Sequence, residues 1–391
     1  MKASHLNCEI PFNYKGVNLS GFKNRSSTQP LGENKLFIDL TLVDSKSTTY
    51  FISIDTLYIS EELYLMVKKG ISEFDQNLSD IVINASHTHS APNIFSENFG
   101  QINLDYKKVV FDLILSLAKK ALSNLETVKI RFKAYEIKNK PFVFRRKKIP
   151  FLNIVKMLPN HKIYINDDIK KIEFSTKSKS WSWISVNCHP VFNSSNQISS
   201  DYIGEIRKEF KNHQFFQGFS GDIRPNITSK VNRPDGLIKK IFSFVIPVFT
   251  IPDQKNFNLF SKKLTKSLNT NPIVDIEIEN NDIKSENFKF DIYESKNSPT
   301  INIKVLFFSN FCSFISINAE VSNLYLTKLN HKNIFPSGCS NGMIGYLPTS
   351  KQLKHKGYEN YYSLKNYNLL KPFSKNKLKE LELFLSNIIK Y

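Results

Sequence analysis

A chain of 391 residues that is 41% hydrophobic and 13% aromatic, with 32 Phe, has enough apolar surface for a large buried core, which excludes a disordered or linker protein. The 54 Lys and Arg outnumber the 35 Asp and Glu for a net charge of +19, but the lysines are scattered among Asn and Ile along the whole length, so nucleic acid is not an expected partner. Cys8, Cys188, Cys312 and Cys339 stand far apart with no Cys-x-x-Cys pair, which indicates neither a thiolate zinc cluster nor a disulfide framework.

Residues 1 to 34 are expected to be loop, punctuated by Pro11, Gly16, Gly21 and Pro30. Lys35 to Val43 and Thr48 to Asp55 then read as strands. Ser60 is a helix N-cap followed by the acids Glu61 and Glu62, and Leu63, Met66, Val67 and Ile71 supply that helix's apolar stripe. The helix leads into an apolar strand that stops on Ser86-His-Thr-His-Ser-Ala-Pro92. Strand alternation directs His87 and His89 to one face at the strand's C-terminal end, and Pro92 turns the chain. Neutral imidazole is the commonest protein ligand for zinc, and α/β proteins place their chemistry at strand ends, so the pair reads as part of a metal site completed from elsewhere.

Asp105 to Leu122 is the clearest amphipathic helix. Strands are expected at Val128 to Glu136, Ile169 to Phe174 and Trp181 to Cys188, the last running straight into His189. The basic cluster Phe144-Arg-Arg-Lys-Lys148 is expected to be a solvated loop. A polar loop over Asn193 to Ser200, a helix over Asp201 to Lys211 and a strand over Gln214 to Phe219 lead to Ser220-Gly-Asp-Ile-Arg-Pro-Asn226, a tight turn able to aim N–H groups at a ligand. Residues 228 to 300 carry two helical patterns and Lys/Asn-rich loops, expected to be insertions. Ile301 to Phe308 and Phe311 to Ile317 read as a hairpin, with Glu320 just past its second tip and a helix from Glu320 to Leu329. Tyr346 lies in a glycine-flanked loop after the turn Ser337 to Gly342, and Ser374 caps a C-terminal helix.

The most hydrophobic stretch, Ile241 to Ile251, is short and contains Pro247, and the N-terminus has no apolar segment. A soluble, cytoplasmic protein is expected. With no internal repeat and no linker, one domain over residues 1–391 is the simplest account.

At the level of motifs the chain resembles the neutral (non-lysosomal) ceramidases. Ser86-His-Thr-His-Ser-Ala-Pro92 is similar to their Thr-His-Thr-His-Ser-Gly-Pro, Cys188-His-Pro-Val191 with Ser199-Ser-Asp201 to their Val-His-Pro-Thr stretch and its following loop, and Gly221-Asp-Ile-Arg-Pro-Asn226 to their Gly-Asp-x-Ser-Pro-Asn. Tyr346 with Tyr358-Glu359 matches the spacing of their two site tyrosines, and all motifs keep the family's order over roughly residues 15 to 390. The resemblance implies an α/β fold of mixed sheets flanked by helices, covering the catalytic domain without the family's C-terminal immunoglobulin-like domain. It implies Zn2+ held by His87, His189, Glu320 and Tyr346, with His89 handling protons. Tyr358 and either Arg145 or Arg146 would stabilise an oxyanion. Arg224 is the departure, since the family's motif has a serine there. A guanidinium favours carboxylate or phosphate, which points to an anionic N-acylated small molecule, an N-acetylated amino sugar first, in place of ceramide. N-acyl sphingoid lipids, with peripheral membrane contact, are the alternative, as is a binding protein without turnover.

Overall fold

The computed structural model describes residues 1–22, 25–27, 35–149, 152–229, 247–250, 253–279, 282–296, 298–309, 312–329 and 333–388. The first sheet has the order β4 (Leu78–Ala85), β3 (Thr48–Ile54), β2 (Phe37–Asp44), β1 (Lys2–Glu9) and β5 (Glu126–Thr127). Alternation at period two decides which layer each side chain enters. In β3, Tyr50, Ile52 and Ile54 pack with helices α1 (Glu61–Ser72) and α2 (Leu104–Ser123), whereas Phe51 faces the other way.

Phe51 enters a central layer shared with two further sheets. One has the order β11 (His213–Gln217), β10 (Ser180–Val186), β9 (Ile169–Ser175), β6 (Lys129–Tyr135) and β15 (Val274–Ile278). The other has β16 (Lys284–Asp291), β17 (Thr300–Ser309), β18 (Cys312–Ile317) and β20 (Ile334–Ser337). Phe132, Phe174, Trp183, Phe216, Phe308, Phe314 and Phe335 fill the space between the sheets. Their outer faces are covered by α3 (Tyr202–Glu209) and α4 (Gln254–Leu268) on the former and by α6 (Lys375–Ile388) on the latter. The fold is thus α/β, with mixed sheets between helices. Smaller pieces line one edge: β12 (Ile223–Pro225), β7 (Phe142–Lys148) and β8 (Val155–Asn160) form a ribbon, β13 (Thr228–Ser229) pairs with β14 (Val248–Phe249), and β19 (Glu320–Val321) pairs with β21 (Tyr346–Leu347), α5 (Leu324–Lys328) following β19.

Three parallel pairs position the site: β3 with β4, β10 with β11, and β18 with β20. Their carboxyl ends are pinned together by Asn84. Its Nδ2 donates to Ser337 Oγ, Gly338 O and Ser340 Oγ at 3.0, 2.6 and 3.1 Å, and its Oδ1 accepts the Gln217 N–H at 2.9 Å. One buried amide therefore joins the ends of β4, β11 and β20.

Several expectations need correction. The N-terminus is not loop: Lys2–Glu9 pairs with β2 over eight residues, concealed because its side chains are largely polar. The basic cluster is strand β7, with Arg145 and Arg146 buried. Within 228 to 300, β15 and β16 are strands whose charged residues alternate with apolar ones along half-exposed sheet. Glu320 lies in a short strand, and the helix starts only at Leu324. The stretch Ile241 to Ile251 lies outside the described residues except for 247–250. Among the described residues no helix is long and apolar enough to cross a membrane.

Burial leaves a mark on pH dependence. His213 is 2% exposed, and burial, with the Arg207 charge second, pulls its imidazole down to about 3 from an ordinary 6.5. Between those values the unfolded chain holds a proton that the folded chain lacks, so this contribution to stability is complete above pH 6.5 and is lost as pH falls towards 3. One proton corresponds to about 1.4 kcal/mol per pH unit. Urea unfolding at several pH values should show His213→Gln losing stability less steeply than wild type between pH 6 and 4, by roughly that slope; parallel curves would contradict it.

Candidate metal centre

Beyond β4 the chain does not stay extended. His87 adopts a left-handed backbone with φ 65°, a conformation that costs an ordinary residue about 1–3 kcal/mol and persists only where its surroundings enforce it. Here Ser86 N donates to Ile54 O and His87 N to Thr56 O, both at 2.9 Å. His87 and His89 thus leave a loop and not one strand face, with rings 4.9 Å apart and inclined at 80°. Arg25 fastens this loop, donating to His89 O, Ser90 Oγ and Ser195 O.

His189 follows β10, and the Asp201 carboxylate closes the loop behind it by accepting the N–H groups of Phe192, Asn193 and Tyr202 at 2.8, 2.9 and 2.8 Å. Glu320 starts β19, in parallel register with Tyr346. The 220–226 turn packs directly against it, because Gly221 N donates to Val321 O at 2.7 Å and a Cβ on Gly221 would lie 2.5 Å from Glu320 O. Asp222 fastens this turn, accepting from Asn323 N, Gln352 Nε2 and the Ser322 hydroxyl.

His87, His189 and Glu320 converge, fully buried, with their ligand atoms all within 4.8 Å of one another. His87 Nδ1 lies 3.1 Å from Leu57 O and His189 Nδ1 lies 3.0 Å from Ile223 O. A carbonyl only accepts, so each Nδ1 carries the proton and each Nε2 presents a lone pair. Both lone pairs face Glu320 Oε2, at 3.4 and 2.9 Å. Arg145 Nη1, which can only donate, also points at His189 Nε2 from 3.2 Å. Three acceptors facing one another repel unless a cation or a proton lies between them, and Arg145 relieves this only at His189. A proton on His189 is disfavoured, since burial and then the Arg145 charge pull that imidazole down to about 4. His87 Nε2 has no hydrogen-bond partner among the described residues. The donor set fits a divalent ion, with two imidazoles oriented by backbone carbonyls and one carboxylate, a ligand set known for hydrolytic zinc.

Around this triad, the Tyr58 hydroxyl donates to Glu320 Oε1, and the Tyr367 hydroxyl lies 3.0 Å from the same oxygen. The Tyr346 ring lies 5.3 Å from the Arg145 guanidinium and 5.5 Å from the Tyr358 ring. The two arginines separate in role. A register shift in β7 between Phe144 and Arg146 re-aims the strand, so that both reach Glu359, Arg145 Nε at 2.8 Å from Oε1 and Arg146 Nη1 onto Oε2. Arg145 also touches His189 and keeps a buried Nη2 without a partner among the described residues, whereas Arg146 turns to Gln352 O at 3.3 Å. Arg224 contacts Met157 Sδ at 3.4 Å and the Phe249 ring at 5.0 Å, beside the triad and not in it. Burial, and then repulsion from Arg145, pull it down to about 10. Asp55 lies outside the triad and pairs with Arg207.

Sequence reasoning missed Tyr58, Tyr367, Arg25 and the role of Glu359. Tyr58 had a signal, since it stands just past an apolar strand and two residues before the Ser60 cap; Tyr367 sits in a tyrosine-rich run with no feature to single it out.

The fold is similar to that of neutral ceramidase from Pseudomonas aeruginosa, with a TM-score of 0.71 at 11% identity over 99% of this chain and 74% of that one. It is equally similar to a ceramidase complexed with C2, with a TM-score of 0.71 at 10% identity over the same shares. At such identity the likeness is one of fold. No protein-family model and no curated protein sequence matches the chain.

Because Gly221 abuts the Glu320 backbone, Gly221→Ala must shift either the turn or the Glu320 backbone that carries the carboxylate. Calorimetric titration with zinc should show at least tenfold weaker binding than wild type; unchanged affinity would mean that this turn does not set the Glu320 position.

Proposed function

We propose that the protein is a zinc-dependent amide hydrolase, an N-deacylase, and a distant member of the neutral ceramidase family with residues 1–391 forming one catalytic domain. The observation that carries this reading is the convergence of two imidazole lone pairs on one carboxylate oxygen, in a fold similar to ceramidase. His87, His189 and Glu320 would hold the ion, with Tyr346 as a further ligand.

Zinc, when bound, lowers the pKa of a coordinated water to roughly 7. The chain's own groups supply the rest. His89 Nδ1 is occupied by His87 O at 3.1 Å, which leaves its Nε2 as the acceptor that takes a proton and returns it to the leaving amine. Arg145 Nη2, buried and without a partner among the described residues, is a fixed donor for the acyl oxygen, assisted by the Tyr358 hydroxyl. Arg146 holds Glu359 and thereby Arg145 in place.

The substrate we favour is a soluble, cytoplasmic, anionic N-acyl compound, with an N-acetylated amino sugar as the first candidate. In support, Arg224 meets only a thioether and an aromatic ring among the described residues, with no carboxylate to neutralise it. A mostly buried cation without a counter-charge is costly unless a ligand supplies one. The similarity to ceramidase favours a second reading, hydrolysis of N-acyl sphingoid lipids.

The purified protein should contain one zinc per chain by mass spectrometry and release acetate from acetamido sugars, with His87→Ala losing the metal and at least a thousandfold in kcat. Release of fatty acid from ceramide but no acetate from sugars would favour the lipid reading, and zinc without turnover across both sets would indicate a binding protein. Arg224→Ser should raise KM for an anionic substrate by about tenfold, the loss of one charged contact, with little change for its neutral analogue. Equal effects on both would remove Arg224 from recognition.

A further inference from the structure

Only one oxygen of Glu320 faces the imidazoles. The other, Oε1, accepts from the Tyr58 hydroxyl, and the Tyr367 hydroxyl stands 3.0 Å from the same oxygen and 2.7 Å from Tyr58 Oη. Two phenols own two protons, so at most two of these three contacts carry one at any moment. The shorter hydroxyl–hydroxyl distance favours a relay in which Tyr367 donates to Tyr58 and Tyr58 donates to Glu320, each bond polarising the next.

The rings are held for this purpose by four aromatic contacts. Phe95 and Phe99 meet the Tyr58 ring edge to face at 5.1 and 5.2 Å, Phe99 lies 5.5 Å from Tyr367, and Tyr58 itself lies 5.2 Å from the His87 ring. The Phe95–Phe99 loop is tied to the Tyr367 segment by Asn98 Nδ2, which donates to Asn366 O at 3.1 Å and Asn368 Oδ1 at 3.0 Å. Residues 58, 95–99 and 367 thus form a rigid aromatic support behind the carboxylate.

We infer that Tyr58 and Tyr367 are positioning residues that restrict Glu320 to a single coordinating oxygen and set the affinity and geometry of the metal centre. The inference rests on the metal-centre reading above. A carboxylate with both oxygens free can rotate and engage a cation through both, taking up a position that a hydrolytic site keeps for water. With Oε1 occupied by phenols, only Oε2 is offered, the oxygen already aligned with His87 and His189.

Tyr58→Phe, Tyr367→Phe and the double variant keep the ring packing and remove only the hydroxyls. Zinc affinity, measured by competition with a chromophoric chelator, should fall about 10–100-fold in Tyr58→Phe, the usual effect of losing a partner of a metal ligand. It should fall less in Tyr367→Phe, and the double variant should be the weakest of the three, because in Tyr58→Phe the Tyr367 hydroxyl, 3.0 Å from Oε1, is free to donate to that oxygen directly. The visible spectrum of the cobalt(II)-substituted protein should change in Tyr58→Phe, while the melting temperature of the metal-free protein stays near wild type, a pattern that loss of packing would not produce. Wild-type affinity and superimposable cobalt spectra in both single variants would overturn the inference. If Tyr58→Phe does not fold, Tyr367→Phe decides, with wild-type affinity and spectrum again overturning it. Wild type that binds neither zinc nor cobalt would instead overturn the metal-centre reading, and this inference with it.

Discussion

The constraint on which the rest depends is the set of three acceptors brought face to face in a buried space. Two imidazoles could relieve it by turning over, but each is held by a backbone carbonyl at Nδ1, Leu57 O for one and Ile223 O for the other. The carboxylate could relieve it by swinging away, but its second oxygen is held by phenols. The arrangement therefore concentrates electron density on a point that favours a cation or a proton.

Building such a point requires distant segments to be fixed to within a fraction of an ångström, and the sheets do this with few parts. The three loops that bring His87, His189 and Glu320 leave parallel strand pairs at their carboxyl ends, and the buried Asn84 amide ties those ends together. Beyond the strands, fixation passes to single polar residues. Asp201 secures the His189 loop, Asp222 secures the turn beneath Glu320, and Arg25 secures the loop of His89. None of these touches the triad, yet each removes a direction in which a ligand could move.

How much of this was legible in the sequence depends on the range of the interaction responsible. Period-two and 3.6-residue patterns give the strands and helices on which the site stands, because those patterns record burial of a local element. Strand β1 escaped since its polar residues are satisfied by pairing along β2. The resemblance to the ceramidase motifs implies the triad, but alternation along a strand is the wrong reason for His87, whose left-handed backbone ends the extended chain first. Tyr58 and Tyr367 could not be paired from sequence at all, because what unites them is a carboxylate more than 250 residues from the former. The Arg145-Arg146 ambiguity was likewise insoluble from composition, since a bulge in the strand, and not the residue type, decides which guanidinium turns to the site.

The two guanidiniums also set the charge beside the triad. Both guanidiniums share the one carboxylate of Glu359, so the fork carries a net charge of one positive. Glu320 offsets it, and the sum before any ion is close to zero. Arg224, nearby and without an acid among the described residues, tips that sum positive, and a divalent ion would add further to it. A partly buried site with that balance has a field that favours an anion over a neutral group. The +19 of the whole chain adds to this attraction only weakly, because exposed lysines beyond about 8–10 Å are screened at physiological ionic strength. Under the proposed reading, discrimination between an anionic conjugate and a neutral amide would therefore rest on the few guanidiniums beside the triad.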